Sequence, residues 1–234
     1  MDNSGIFNLK KKVAIVFRED EKFGEAITSV FADAGALISN IEHSTSPRDA
    51  VLNTVSEHGH LDILVTTPTF VKAEAAERTS TEQFKKNVEL NLGDIFFWCQ
   101  AAAEQMSNQE PVGGTIINVS SVGGVVGLAG QVAFCSAMAG VNSMTKTLAT
   151  EWKQYGIRVL SLGAGLGKDL SEIGILENLL PDGKIGHRRL PENTLNETYE
   201  LCQIVTFLAS DVAKIINGTT VYADSGWLAD GYWE

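Results

Sequence analysis

The chain has 234 residues and carries 18 basic against 29 acidic side chains, a net charge of −11. An acidity of this size gives no attractive field for a nucleic-acid backbone or an anionic lipid surface, so neither is expected as a partner. A hydrophobic fraction of 44% with 20% charged residues excludes a disordered chain.

The elements follow in order. Val13-Ala14-Ile15-Val16-Phe17 is a continuous apolar run suited to a strand covered on both faces. Glu25 to Ala34 reads as a helix, with Ala26, Ile27, Val30, Phe31 and Ala34 on one side and Gly35 as its stop. Leu37 to Ile41 reads as a second strand, and Pro47 opens a helix to about His58 with Ala50, Val51, Thr54 and Val55 inward. Leu61 to Val65 is another buried strand. Ser80 caps a helix with Glu82 and Gln83 in its first turn, which continues, with room for a break, through Phe96-Phe97-Trp98 to Met106. Strands at 114–119, 157–162 and 219–223 alternate with helices at 134–155 and 198–210. Strand–helix alternation of this kind predicts an α/β fold, a Rossmann-like doubly wound parallel sheet in three layers. There are no internal repeats and no linker, so residues 1–234 read as one domain. Residues 163–197, with Pro181 and Pro191, read as a loop or lid above the carboxyl edge of the sheet.

Cys99, Cys135 and Cys202 lack metal-ligand spacing and sit in apolar runs. They are expected as buried small hydrophobes, with neither disulfide nor metal. The amino terminus MDNSGIFNLKKK has no apolar core of a secretory signal, and no uncharged apolar run reaches the roughly 18 residues of a membrane span. A cytoplasmic location is the expectation.

Several segments together resemble the short-chain dehydrogenase/reductase family. LKKKVAIV before a helix and Gly35-Ala36 is similar to its first βαβ unit, and Leu61-Asp62-Ile63-Leu64-Val65 to its LDILV strand. Asn91-Leu92 sits at its VNL segment, Ile117 to Gly124 at INVSSVAG, and Ala139 to Lys146 at AGVNALTK. Ile157-Arg158-Val159, Phe207 to Asp211 and Gly218 to Gly226 are similar to its IRVN, FLASD and GxxxxVDGG features. The resemblance covers nearly the whole chain.

The functional positions implied by that resemblance are altered. The family's phosphate loop, TGxxxGxG, lets the backbone approach a pyrophosphate at a helix terminus. Here it corresponds to Phe17 to Gly24: Arg18 and Lys22 replace two glycines, Gly24 remains, and Glu19-Asp20-Glu21 add negative charge. The NNAG turn on the adenine side has become Thr66-Thr67-Pro68-Thr69, and Pro68 offers no amide donor. The family's acid/base tyrosine and its lysine correspond to Phe134 and Met138, which offer neither proton nor charge. Lys146 lies twelve residues past Phe134, about 18 Å along a helix, too far to substitute. Cys135 and Ser136 are expected on other faces of that helix. Ser121 and Asn91 retain the family's serine and asparagine, and both are read as vestigial, bonding to backbone. Gly163-Ala164-Gly165-Leu166 has lost the usual proline after the fifth strand.

Length adds an independent argument. Only 25 residues lie between Gly35 and Leu61. The family's plan puts two strands and two crossovers there, which needs well over about 30 residues. One strand and one helix, or an equivalent length, must be absent or collapsed, on the side where the adenosine half of a dinucleotide would lie. Glu42 stands roughly where a cofactor-selecting acid would end the second strand, and that role is not carried over.

These losses lead to the expectation of a catalytically inactive subunit that binds no NAD(P). It would assemble with an active paralogue, or with itself, through helices 80–106 and 134–155 and the tail Gly226 to Trp233. One alternative is a lyase or dehydratase on the same fold, using Ser121, Asn91 and Glu74, Asp94, His43 or His187. Another is an atypical NAD(P)H-dependent oxidoreductase.

Overall fold

A computed structural model of the chain describes residues 7–17, 21–39, 41, 45–69, 73–165 and 198–229. Six parallel strands form one sheet in the order β2-β1-β3-β4-β5-β6. They are β1 (Val13–Phe17), β2 (Leu37–Ile38), β3 (Ile63–Thr66), β4 (Gly114–Ser121), β5 (Ile157–Ala164) and β6 (Thr220–Ala223). The α-helices among the described residues are α1 (Glu21–Asp33), α2 (Pro47–His58), α3 (Thr81–Val88), α4 (Asp94–Met106), α5 (Val132–Trp152) and α6 (Thr198–Ala209).

The near-continuous apolar runs of the central strands are explained by two separate cores. Successive side chains alternate between sheet faces. Ile15, Leu64, Ile116 and Val159 pack with α2, α4 and α5 on one face. Ala14, Val16, Ile63, Val65, Ile117 and Leu160 pack with α1 and α6 on the other. A strand covered on both sides has no solvent face on which to place polar residues.

Local chemistry sets the helix ends. Ser46 accepts from the Asp49 N–H at 3.2 Å with Pro47 in the first helical turn, and Gly59 stops α2 at φ 87°. Ser80 and Gln83 form a reciprocal capping box at the start of α3. The single helix expected from Ser80 to Met106 is broken as allowed for: a π-turn over Glu89–Gly93 separates α3 from α4. The first helix begins at Glu21, four residues earlier than expected, and β2 stops at Ile38.

The length argument for a shortened second/third strand region is matched by the topology. Among the described residues, β2 leads through α2 directly into β3, and β2 is the sheet's edge. A two-residue edge strand with Leu37 half exposed replaces what would otherwise be a covered strand.

Candidate functional site

Ligands of open parallel sheets bind beyond the carboxyl ends of the strands, where the strand order reverses. Here that point lies between β1 and β3. The Thr67 hydroxyl donates to the Phe17 carbonyl at 2.9 Å and ties the two strand ends together. Phe17 packs on Trp98 of α4 with ring centroids 4.8 Å apart. The amino end of α1 opens onto the same edge. Arg18, Glu19 and Asp20 lie outside the described residues. Lys22 is exposed in the first turn of α1, and Gly24 is buried with its carbonyl accepting from Thr28 Oγ1 at 2.8 Å.

Asn91 sits in the π-turn, fully buried. Its Oδ1 accepts from the Thr69 N–H at 2.7 Å and its Nδ2 donates to the Thr69 carbonyl at 2.9 Å. The same amide donates to Asn87 Oδ1 at 3.1 Å. The side chain therefore replaces a backbone partner on both sides of Thr69 and fixes the turn after β3 that contains Pro68. A π-turn inserts one residue into the helix, which aims Asn91 at that turn.

Ser121 ends β4. Its Oγ accepts from the Gly123 N–H at 3.1 Å, and it is 6% exposed. The turn that follows lies directly against α5: a Cβ on Gly124 would come within 3.0 Å of the Met138 carbonyl carbon. Ser120 donates to the Met138 carbonyl at 3.4 Å. Phe134 and Met138 are both buried on the inner side of α5, in the same core as Trp98 and Cys99. Phe134 also closes a cavity of about 50 Å³ with Asn87 and Gln131. The fold thus brings Asn91, Ser121, Phe134 and Met138 to one edge of the sheet.

Cys135, expected as a buried small hydrophobe, is only half-buried. Its Sγ lies 3.2 Å from a Cβ position on Gly123, whose third neighbour there is Ser121 Oγ at 3.6 Å. The thiol therefore faces the turn after Ser121. Burial raises its pKa above the ordinary thiol value. Cys99 and Cys202 are fully buried, and burial pushes both thiols up to about 12.

Two further residues at this edge went unnoticed in the sequence. Asn142, one turn beyond Met138, donates to the Tyr222 hydroxyl at 3.3 Å and accepts from Thr220 Oγ1 at 3.3 Å. Tyr222 lies across the backbone of Gly163, where a Cβ would overlap its ring. The spacing of Asn142 from Met138, one helical turn, was the available signal.

The carboxylates considered for non-redox chemistry are placed as well. Glu74 Oε1 accepts from Arg78 Nε at 2.8 Å and from the Ala75 N–H at 3.0 Å. The Asp94 carboxyl is raised by burial and then by the neighbouring charge of Glu89. His43 and His187 lie outside the described residues. Among the described residues there is no group of three His, Cys, Asp or Glu that could hold a metal ion. No described helix is long and apolar enough to cross a membrane.

Residues 10–228 match a family model described as enoyl-(acyl carrier protein) reductase. The chain is 28% identical to D-threitol dehydrogenase of Mycolicibacterium smegmatis, with 94% of each chain covered. It is 31% identical to the 3-oxoacyl-[acyl-carrier-protein] reductase FabG of Haemophilus influenzae, covering 88% of this chain and 84% of the relative. A solved structure from Sinorhizobium meliloti 1021, described as a candidate short-chain alcohol dehydrogenase, superposes with a TM-score of 0.85 at 25% identity. It covers 96% of this chain and 99% of that one.

These likenesses overturn the expectation of an inactive, cofactor-free subunit. The relatives carry the names of dehydrogenases and reductases, and they match along nearly the full chain. A site built from many contacts across a sheet edge is not cancelled by the loss of some of them. The fold, the ordered motifs and the whole-length matches place the chain in the short-chain dehydrogenase/reductase family.

Proposed function

We propose that the protein is an NAD(P)-dependent oxidoreductase that interconverts an alcohol and a carbonyl without the family's tyrosine–lysine pair. The reading rests on one observation above the others: whole-length similarity to named dehydrogenases and reductases, on a sheet whose carboxyl edge still presents Ser121. It replaces the expectation that no cofactor is bound.

The described residues fit a dinucleotide in part. The reversal of strand order between β1 and β3, with the amino end of α1 facing it, provides the crevice and the favourable dipole for a pyrophosphate. At the nicotinamide end, Met138 offers an apolar side chain where a ribose would seek a donor. A bound nicotinamide would supply or accept the hydride at the substrate carbon. Ser121 Oγ orients the substrate oxygen. Phe134 fills the tyrosine position as a packing group and moves no proton. Cys135 Sγ and Ser121 Oγ both border Gly123, and the thiol, its pKa raised by burial, is a weak proton donor at that oxygen.

The chain also self-associates in this reading, through the outer faces of α3, α4 and α5. Phe97 on α4 is 54% exposed and Phe84 on α3 is 40% exposed, more apolar surface than a lone subunit needs.

Fluorescence titration with NADH and NADPH tests the central claim. Saturable binding is expected, weaker than in a lysine-bearing relative by roughly tenfold for one lost charge-assisted hydrogen bond. Phe134→Tyr with Met138→Lys is expected to tighten binding and raise turnover of small hydroxylated substrates. Absence of binding to both cofactors at millimolar concentration would refute the reading.

A further inference from the structure

The amino ends of the strands, opposite the candidate active site, frame a second cavity of about 420 Å³. Volumes of this order accept small molecules. Lys12, Lys153, Arg158 and Lys214 line it against Asp62 and Asp211. Four cations against two carboxylates leave a formal charge of +2 here, in a chain whose net charge is −11.

The two carboxylates neutralise this cluster poorly. Asp62 Oδ2 already accepts from the Val13 N–H at 2.8 Å and lies 2.9 Å from His60 Nε2. Its other oxygen lies 3.6 Å from Lys12 Nζ. Asp211 is 90% exposed and 4.0 Å from Lys12, where water screens it. Lys153 and Lys214 are exposed, and no carboxylate among the described residues lies within 4 Å of either.

Arg158 is held rigidly. Its guanidinium donates to the carbonyls of Ala213 at 3.1 Å, Ile216 at 3.0 Å and Leu208 at 2.9 Å, and to Thr115 Oγ1 at 3.0 Å. None of these acceptors carries charge. The arginine is thus a fixed positive charge on the wall, its hydrogen bonds spent on neutral groups and its charge opposed in part by the exposed Asp211. The base of the cavity is bare backbone at Gly113 and Gly114. A Cβ on Gly113 would stand 3.0 Å from the Gly156 carbonyl oxygen, and one on Gly114 would overlap Met106.

We propose that this amino-edge cavity binds a phosphate-type dianion, with Lys153 and Lys214 as mobile donors and Arg158 as the fixed charge behind them. The site lies at the other edge of the sheet from Ser121 and does not depend on the oxidoreductase reading. Its chemistry suits either free phosphate or the phosphate group of a small ester.

Calorimetric titration with inorganic phosphate and with glycerol 3-phosphate, in buffer free of other oxyanions, tests it. Saturable binding with Kd on the order of 1 mM is expected, weakened at least about tenfold in Lys153→Gln/Lys214→Gln. Both lysines are exposed, and circular dichroism checks that the variant folds. Amide shifts at Gly113 and Asn217 in the wild-type protein locate the ligand independently. Tighter binding of the ester assigns the site to an organic phosphate, and equal binding to free phosphate. No saturable binding below about 20 mM, equal affinity in the variant, or binding without shifts at those two amides would overturn the proposal.

Discussion

Asn118 shows how one buried polar residue organises the interior. It is fully buried on β4. Its Oδ1 accepts from Thr66 Oγ1 at 2.9 Å and from Cys99 Sγ at 3.2 Å, and its Nδ2 donates to Thr145 Oγ1 at 3.0 Å. One amide thus links β3, α4 and α5. Cys99 belongs to this network, and burial holds its thiol neutral with a pKa of about 12. In the unfolded chain a thiol ionises near pH 8.5. The folded value is the higher one, so the stabilising contribution is complete below about pH 8.5 and is lost as pH climbs toward 12. Urea unfolding between pH 8 and 10 is expected to show stability falling with pH, Cys99 contributing about 1.4 kcal/mol per pH unit above its unfolded pKa. The fall should be shallower in Cys99→Ala; equal slopes would show that this thiol does not ionise on unfolding.

At the scale of elements, the turn after β4 decides the shape of the candidate site. Gly123 and Gly124 let that turn approach α5 closely enough for Ser121 to face its first turns. A Cβ on Gly124 would press on Asn142 Nδ2 and on the Met138 backbone, and the backbone of a buried helix cannot give way. Gly124→Ala is therefore expected to cost about 1–3 kcal/mol of stability and to lower kcat more than it raises KM, since it displaces Ser121. Thermal unfolding with steady-state kinetics measures both; unchanged kinetics would place Ser121 outside the reaction. The π-turn at Glu89–Gly93 belongs to the same scale. The sequence allowed a break in this helix, but not its form or the fact that it aims Asn91 at Thr69.

For the whole molecule, the shortened edge and the exposed aromatics matter most. Among the described residues the sheet ends at β2, so the proposed crevice has one flanking strand fewer on the side where the adenosine half of a dinucleotide would lie. The proposed cofactor then depends more on contacts at the sheet centre. Self-association through α4 and α5 would cover Phe97, whose ring also meets Phe96 with centroids 5.6 Å apart. Sedimentation is expected to find a dimer or larger species, and Phe97→Glu is expected to shift it toward the monomer by placing charge in an apolar contact. A wild-type monomer at micromolar concentration would remove this part of the proposal.

Periodicity and motif order were enough to fix the parallel α/β fold and the family, because a strand covered on both faces and a helix covered on one leave different apolar patterns. Chain length alone revealed the missing strand and helix between Gly35 and Leu61, since an extended residue and a helical turn have fixed reach. Motif alignment also brought Ser121, Asn91, Phe134 and Met138 into consideration. The direction of Cys135, the grip of Asn91 on Thr69 and the contact between Asn142 and Tyr222 were decided only in three dimensions. Each depends on how closely two elements approach, and that distance is set by residues such as Gly123, Gly124 and Gly163 that carry no side chain of their own. The cation cluster at the amino edge is of the same kind. Lys12, Lys153, Arg158 and Lys214 are far apart in the chain, and only the closing of four strand ends and their loops gathers them.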